Sequence, residues 1–233
     1  MRTLIKKLIS KNLRDDLRGI STSTKRLFGK VYKDAKYGGA LRKAAAQHKS
    51  VKINLGCGTL AHPGWINVDM MKSENTFYHD LRERLPMDDQ CAEYIHCEHF
   101  LEHLTQEDAI QFMSECFRLL KPGGRLRLIL PDAEKYMRAY AEGDKDFFAK
   151  MLHHGNAVNP FRTSMEIINQ MFRMGGDHLF AWDFETLSLY LKDAGFERIE
   201  RSEFRRMPEQ HFIDGEDDWR LHESIYLNAF KPN

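Results

Sequence analysis

The segment Val51–Gly58, VKINLGCG, constrains this chain more than any other. Val51, Ile53 and Leu55 alternate with Lys52 and Asn54 over a short run, which is the pattern of a strand. Gly56 and Gly58 follow one residue apart, so the backbone can turn tightly and approach a ligand with no Cβ in between. At the end of the first parallel strand of an open α/β sheet, such a turn lies where nucleotides bind. Gly56 to Ala61 also fits the dinucleotide pattern G-x-G-x-x-G/A. The next segment argues against that reading. Trp65–Asp69, WINVD, is a second apolar run ending in an acid, and Asp69 comes eleven residues after Gly58. Dinucleotide folds place their ribose-binding acid about 20 residues on, after a full helix. His62-Pro63-Gly64 leaves little room for one here.

The remaining pattern alternates strand and helix, which predicts a parallel sheet with right-handed crossovers. Thr76–Leu81 reads as a third strand containing the acid Asp80, and Ala92–Cys97 as a fourth. Residues 98–104, EHFLEHL, lead into a helix over about 105–120, with Thr105 as N-cap and Asp108 three residues on. Ile110, Met113, Phe117 and Leu120 are its expected buried face, and Lys121-Pro122-Gly123-Gly124 its stop. Arg125–Leu130 is a fifth strand closed by Pro131-Asp132. Phe184–Leu191 is helical and ends at Ala194-Gly195. Arg198–Phe204 and Ser224–Phe230 read as an antiparallel pair with no helix evident between them. Residues 133–182 form an insertion with two helical patterns, one carrying Tyr136, Met137, Tyr140, Phe147 and Phe148, the other Met165, Ile168, Met171 and Phe172. Such an insertion after strand five is placed to act as a lid.

Taken in order, NLGCG, GWINVD, HDL, LPMDD, EHFLEHL, LLKPGGRLRLILPD and FETLSLYLKDAGF resemble the Rossmann-like (class I) S-adenosylmethionine (SAM)-dependent methyltransferases. The GWINVD and LEHL wording resembles predicted methyltransferases of surface-polysaccharide gene clusters. The resemblance implies a seven-stranded sheet of order 3-2-1-4-5-7-6 with the last strand antiparallel. It implies SAM as cofactor and S-adenosyl-L-homocysteine as product. Leu55, Gly56 and Gly58 would then lie under the methionine part, Asp69 beside Met70 would accept from the ribose hydroxyls, and Asp80 with Leu81 would hold the adenine. Cys97, Glu98 and His99 would line the methyl-donor site. The first loop departs from the family in having Thr59-Leu60-Ala61 where a third glycine is usual.

A hydroxyl acceptor, such as a sugar hydroxyl of a surface polysaccharide, would need a base near its proton. His178 and Asp132 are the leading candidates, with His99 third. His99-Phe100-Leu101-Glu102-His103 also matches H-x-x-E-H, a zinc pattern in which two histidines share a helix face. No third ligand is set up in the sequence, so no metal is expected. Alternative readings are a SAM-binding protein without catalysis and a nicotinamide-dependent oxidoreductase.

Charge divides the chain in two. Residues 1–50 hold 14 Lys and Arg against three Asp, a net of +11, and the remainder carries a net of −10. Leu4, Ile5, Leu8, Ile9, Leu13, Leu17 and Ile20 make one apolar stripe on a helix whose other faces are basic. That arm, residues 1–50, either packs on the domain 51–233 or lies on an anionic membrane surface. Aromatics do not interleave with its charges as nucleic-acid stacking requires, so no nucleic acid is expected. No 18-residue apolar run and no cleaved leader are visible, and Cys57, Cys91, Cys97 and Cys116 form no C-x-x-C pair. The expected setting is the cytoplasm with reduced thiols, at most peripheral to the inner face of a membrane. The sequence carries no signal of oligomeric state.

Overall fold

The computed structural model describes residues 38–47, 50–71, 73–152, 161–204 and 218–233. The apolar stripe of residues 4–20 and the His153-His154 pair lie outside them. A helix over residues 38–47 (α1) opens the described chain, followed by strands β1 (Val51–Leu55), β2 (Ile66–Asp69), β3 (Thr76–Tyr78) and β4 (Ala92–Glu98). Helix α2 (Gln106–Leu119) leads to β5 (Leu120–Pro131). The insertion supplies α3 (Ala133–Glu142), α4 (Lys145–Lys150) and α5 (Ser164–Arg173). The chain closes with α6 (Phe184–Asp193), β6 (Arg198–Arg201), α7 (Asp218–Glu223) and β7 (Ser224–Phe230).

The strands form one sheet of order β3-β2-β1-β4-β5-β7-β6. β1 lies between β2 and β4, parallel to both, with Ile53 opposite Ile66 and Ile95. β7 runs antiparallel to β5 and β6. The expected topology is therefore the observed one. Burying β1 on both faces explains its apolar character: Ile53 and Leu55 are fully covered.

Several boundaries differ from expectation. β5 begins at Leu120, so Lys121-Pro122-Gly123-Gly124 is the irregular start of a long strand and not a separate stop. α7 occupies the stretch before β7 where the sequence shows no helix. The buried face of α2 is Ala109, Phe112, Met113, Cys116 and Leu119, while Ile110 is exposed. Two apolar stripes at three- and four-residue steps lie side by side on this helix, and the sheet selects one of them. α1 falls within the basic arm, yet Leu41 is buried in the main core and Ala44 and Ala45 pack against it.

The insertion builds a second core of its own. Tyr136, Phe148, Met151, Ile167, Ile168 and Met171 cluster there, whereas Met137, Tyr140 and Met165 face outward. Each such buried apolar side chain contributes roughly 1.5–3 kcal/mol by leaving water. No helix among the described residues is long and apolar enough to cross a membrane.

Candidate active site

The loop after β1 is fixed by polar side chains of the two central strands. Gly56 and Gly58 both have left-handed backbone, at φ +70° and +53°. A Cβ on Gly56 would stand 2.6 Å from Phe100, which packs against the loop from the turn after β4. Nothing lies within 4 Å of where a Cβ on Gly58 would be, so the backbone there is open to a ligand. Asp69, the last residue of β2, accepts from the Gly58 N–H at 2.8 Å and from the Met71 N–H at 2.6 Å. Asn54 and Asn67, directly opposite in the β1–β2 register, hydrogen-bond each other at 3.2 Å. Asn54 also donates to the Leu60 carbonyl, and Asn67 binds the His62 N–H and carbonyl. These bonds hold the path of residues 58–62 without a third glycine.

The remaining cofactor candidates divide by exposure. Leu55 and Cys97 are opposite one another in the β1–β4 register, and both side chains are buried in the main core. Burial pushes the Cys97 thiol well above its ordinary range. With their side chains covered, these two would meet a ligand through their backbone. Leu81 is likewise packed in the core. Met70 is exposed, as are its neighbours Met71 and Leu60, so the rim of the loop is apolar and open. Asp80 is clamped by Arg82, whose Nε and Nη2 reach its two oxygens at 2.9 and 2.7 Å. The Arg82 hydrogen bonds hold the Asp80 carboxyl below its ordinary value despite partial burial.

At the carboxyl end of β4, Glu98 pairs with Arg220 of α7 and approaches His96 Nε2 at 3.4 Å. His99 follows at φ +47°, with Nε2 3.1 Å from Ser224 Oγ and Nδ1 3.2 Å from Glu102 Oε1. Burial alone would lower the His99 pKa, but the hydrogen bond and charge of Glu102 outweigh it and raise it. Glu223 is hydrogen-bonded by Tyr136 of the insertion, and burial raises its pKa.

Of the three candidate bases, His99 and His178 both lie beside Glu102, whereas Asp132 is held at the start of α3. Asp132 is 1% exposed and caps α3 by accepting from the Glu134 N–H at 3.1 Å, with Arg201 Nη1 at 3.7 Å. Burial raises its pKa against the opposing charges of Lys135 and Arg201. His178 is carried by the end of the insertion to the turn after β4, where its ring meets His103 edge to face at 4.8 Å. A cleft of about 470 Å³ lined by Asp132, Lys135, Arg201, Phe204, Ser224 and Tyr226 lies beside these elements. Asn54, Asn67, Arg220 and Ser224 were not singled out from the sequence, whereas Glu102 stood in the H-x-x-E-H pattern. The two asparagines had a signal, since each is a polar residue inside an otherwise apolar strand. Arg220 and Ser224 take their roles from partners more than 100 residues away and carry none.

Residues 69–128 match the family model for a methyltransferase domain. The match starts at Asp69 and runs through β3, β4 and α2 into β5, covering 60 of the 233 residues. No curated protein matches the sequence. Among solved structures, a SAM-dependent methyltransferase from Archaeoglobus fulgidus is similar at 15% identity and a TM-score of 0.47, over 85% of this chain and 97% of that one. A SAM-dependent methyltransferase from Thermotoga maritima is similar at 14% identity and a TM-score of 0.48, over 88% and 97%. Phosphoethanolamine N-methyltransferase 2 from Haemonchus contortus, solved with S-adenosyl-L-methionine, gives 13% identity and 0.46, over 84% and 52%.

Proposed function

We propose that this chain is a SAM-dependent methyltransferase. The observation that carries the reading is the methyltransferase-domain match beginning at Asp69, the acid tied to the Gly56–Gly58 loop in a sheet of order 3-2-1-4-5-7-6. The residues present suit the cofactor. Gly58 leaves its backbone open, Asp69 uses only part of a carboxylate's roughly four acceptor sites, and Leu60, Met70 and Met71 offer apolar cover. Bound SAM would supply an electrophilic methyl carbon for in-line displacement. The protein's part is to orient the acceptor and exclude water. Asp69 would accept from the ribose hydroxyls, with Gly56 and Gly58 letting the chain pass close beneath. Asp80 would take the adenine amino group by sharing its carboxylate with Arg82.

For a hydroxyl acceptor, His99 is the best-organised proton acceptor of the three candidates. It stands at the end of β4, with Glu102 on one ring nitrogen and Ser224 Oγ on the other. Asp132 is occupied as a helix cap. The cleft beside Asp132, Lys135 and Arg201 offers charged groups next to the rings of Phe204 and Tyr226, a mixed lining that a hydroxyl-bearing acceptor such as a sugar could use. Equilibrium binding of SAM and of NADH to the full-length protein tests the cofactor. SAM binding without NADH binding is expected, and the reverse overturns the reading in favour of an oxidoreductase. Labelled-methyl transfer to sugars, lipids and small molecules then separates catalysis from SAM binding alone.

A further inference from the structure

The sequence pattern H-x-x-E-H places its histidines differently from a helix. His99 has left-handed backbone and only a single helical turn, Leu101–His103, follows, so His99 and His103 do not share a face. The partner that His103 acquires is His178, from the far end of the insertion. Backbone bonds fix the two segments: the Leu179 and Phe180 N–H groups donate to the Glu102 carbonyl at 2.8 and 3.3 Å.

Both imidazoles are set in one tautomer. His103 Nδ1 lies 3.1 Å from the Asp177 carbonyl, and His178 Nδ1 2.5 Å from that of Met171. A carbonyl only accepts, so Nδ1 carries the proton on both rings and Nε2 keeps its lone pair. This is the arrangement by which proteins orient metal-binding histidines. Glu102 stands beside them, 3% exposed, with Oε1 facing His99 Nδ1 at 3.2 Å and no hydrogen-bond partner at Oε2. One ligand atom from each of Glu102, His103 and His178 lies within 4.8 Å of the other two. A buried carboxylate short of donors is costly, and a cation between the three would offset that cost.

We propose that Glu102, His103 and His178 form a binding site for a divalent transition-metal ion of the zinc type. Two imidazole nitrogens and one carboxylate suit a borderline ion, whereas magnesium and calcium take mainly oxygen ligands. Three protein ligands leave a position open to water or to an oxygen of a substrate. Because His178 closes the insertion and the other two ligands follow β4, the ion fastens the insertion to the edge of the candidate active site. The site stands on its own geometry and does not rest on methyl transfer.

The test uses full-length protein stripped with a chelator. Zn²⁺ is titrated against a chromogenic chelator, and Co²⁺ is read by its visible absorption. One ion per chain is expected, with a four-coordinate cobalt spectrum free of thiolate charge transfer. His103→Ala, His178→Ala and Glu102→Gln should each weaken binding by at least 10- to 100-fold, and Zn²⁺ should raise the melting temperature of wild type only. Replacing both His153 and His154 should leave binding unchanged. Full affinity in the three ligand variants, or loss of binding on replacing the His153-His154 pair, overturns the proposal. If a ligand variant fails to fold by circular dichroism, the wild-type cobalt spectrum decides, and thiolate bands or an octahedral signature refute the site. SAM affinity of the zinc-free wild type, measured on the same sample, reports separately on the methyltransferase reading.

Discussion

Asp69 holds the loop after β1 and, on the proposed reading, would also bind the ribose of SAM, and the two energies can be separated. Its Oδ2 accepts from the Gly58 N–H and its Oδ1 from the Met71 N–H. Asp69→Ala removes both acceptors. A charge-assisted hydrogen bond contributes about 1.5–3 kcal/mol when shielded. The Met71 contact is exposed, so water replaces it at little cost, and the loss comes mainly from the part-buried Gly58 contact. The expected destabilisation is about 1–2 kcal/mol, a fall in melting temperature of roughly 2–8 °C for a chain of this size. The cofactor role adds a second cost. Ribose hydroxyls bound without their acceptor lose about 2–3 kcal/mol, or roughly 30- to 150-fold in SAM affinity. Asp69→Asn keeps one carbonyl acceptor and should fall between wild type and Asp69→Ala in both quantities. Calorimetric titration with SAM and a thermal melt on the same samples read the two effects. A folded Asp69→Ala protein with wild-type SAM affinity refutes the ribose assignment. An unchanged melting temperature refutes the loop-holding role alone.

Gly56→Ala combines a left-handed backbone with a clash against Phe100, so it should cost about 2–5 kcal/mol, while Gly58→Ala, open on all sides, should cost about 1 kcal/mol. Denaturant melts decide, and a Gly56→Ala defect that Phe100→Ala does not relieve would show that the ring is not the cause. Asn67→Ala should destabilise by roughly 2–4 kcal/mol and weaken SAM binding, because the His62 backbone and Asn54 lose their partner together; wild-type stability in this variant removes the asparagine pair from the account of the loop. The Asp80 pKa is lowered, first by the Arg82 hydrogen bond, so its contribution to stability is present above the ordinary value of 3.8 and is lost as pH falls through the lower folded value. Acid titration of Asp80→Asn should lack that component, and identical acid profiles would contradict the clamp. Residues 1–37, with their basic amphipathic stripe, are expected to give full-length protein salt-sensitive binding to anionic vesicles, each surface-proximal Lys or Arg contributing about 1 kcal/mol; flotation that is unchanged by deleting them ends that reading.

The sequence by itself marked the strands and the glycine turn after the first of them, and its resemblance to the class I methyltransferases implied the order of the sheet. Apolar alternation in Val51–Leu55, the paired glycines and the acid at Asp69 are local signals, and short-range rules turn them into strand, turn and strand end. Helix α2 was legible for the same reason, down to Thr105 as its N-cap, because capping involves residues three apart. Which of its apolar stripes is buried was decided only when it packed on the sheet. α7 was hidden because six residues hold too few turns to show a period. The pairings that shape the candidate sites are longer in range. Glu98 meets Arg220 across 122 residues, His99 meets Ser224 across 125, and His103 finds His178 at the end of the insertion. Nothing in the spacing of these residues signals such contacts, since they follow from parallel crossovers that bring distant strand ends to one edge. The same physics covers the side chains of Cys97 and Leu55: β1 and β4 pair in the middle of the sheet and are packed on both faces, which leaves their backbone to face a ligand.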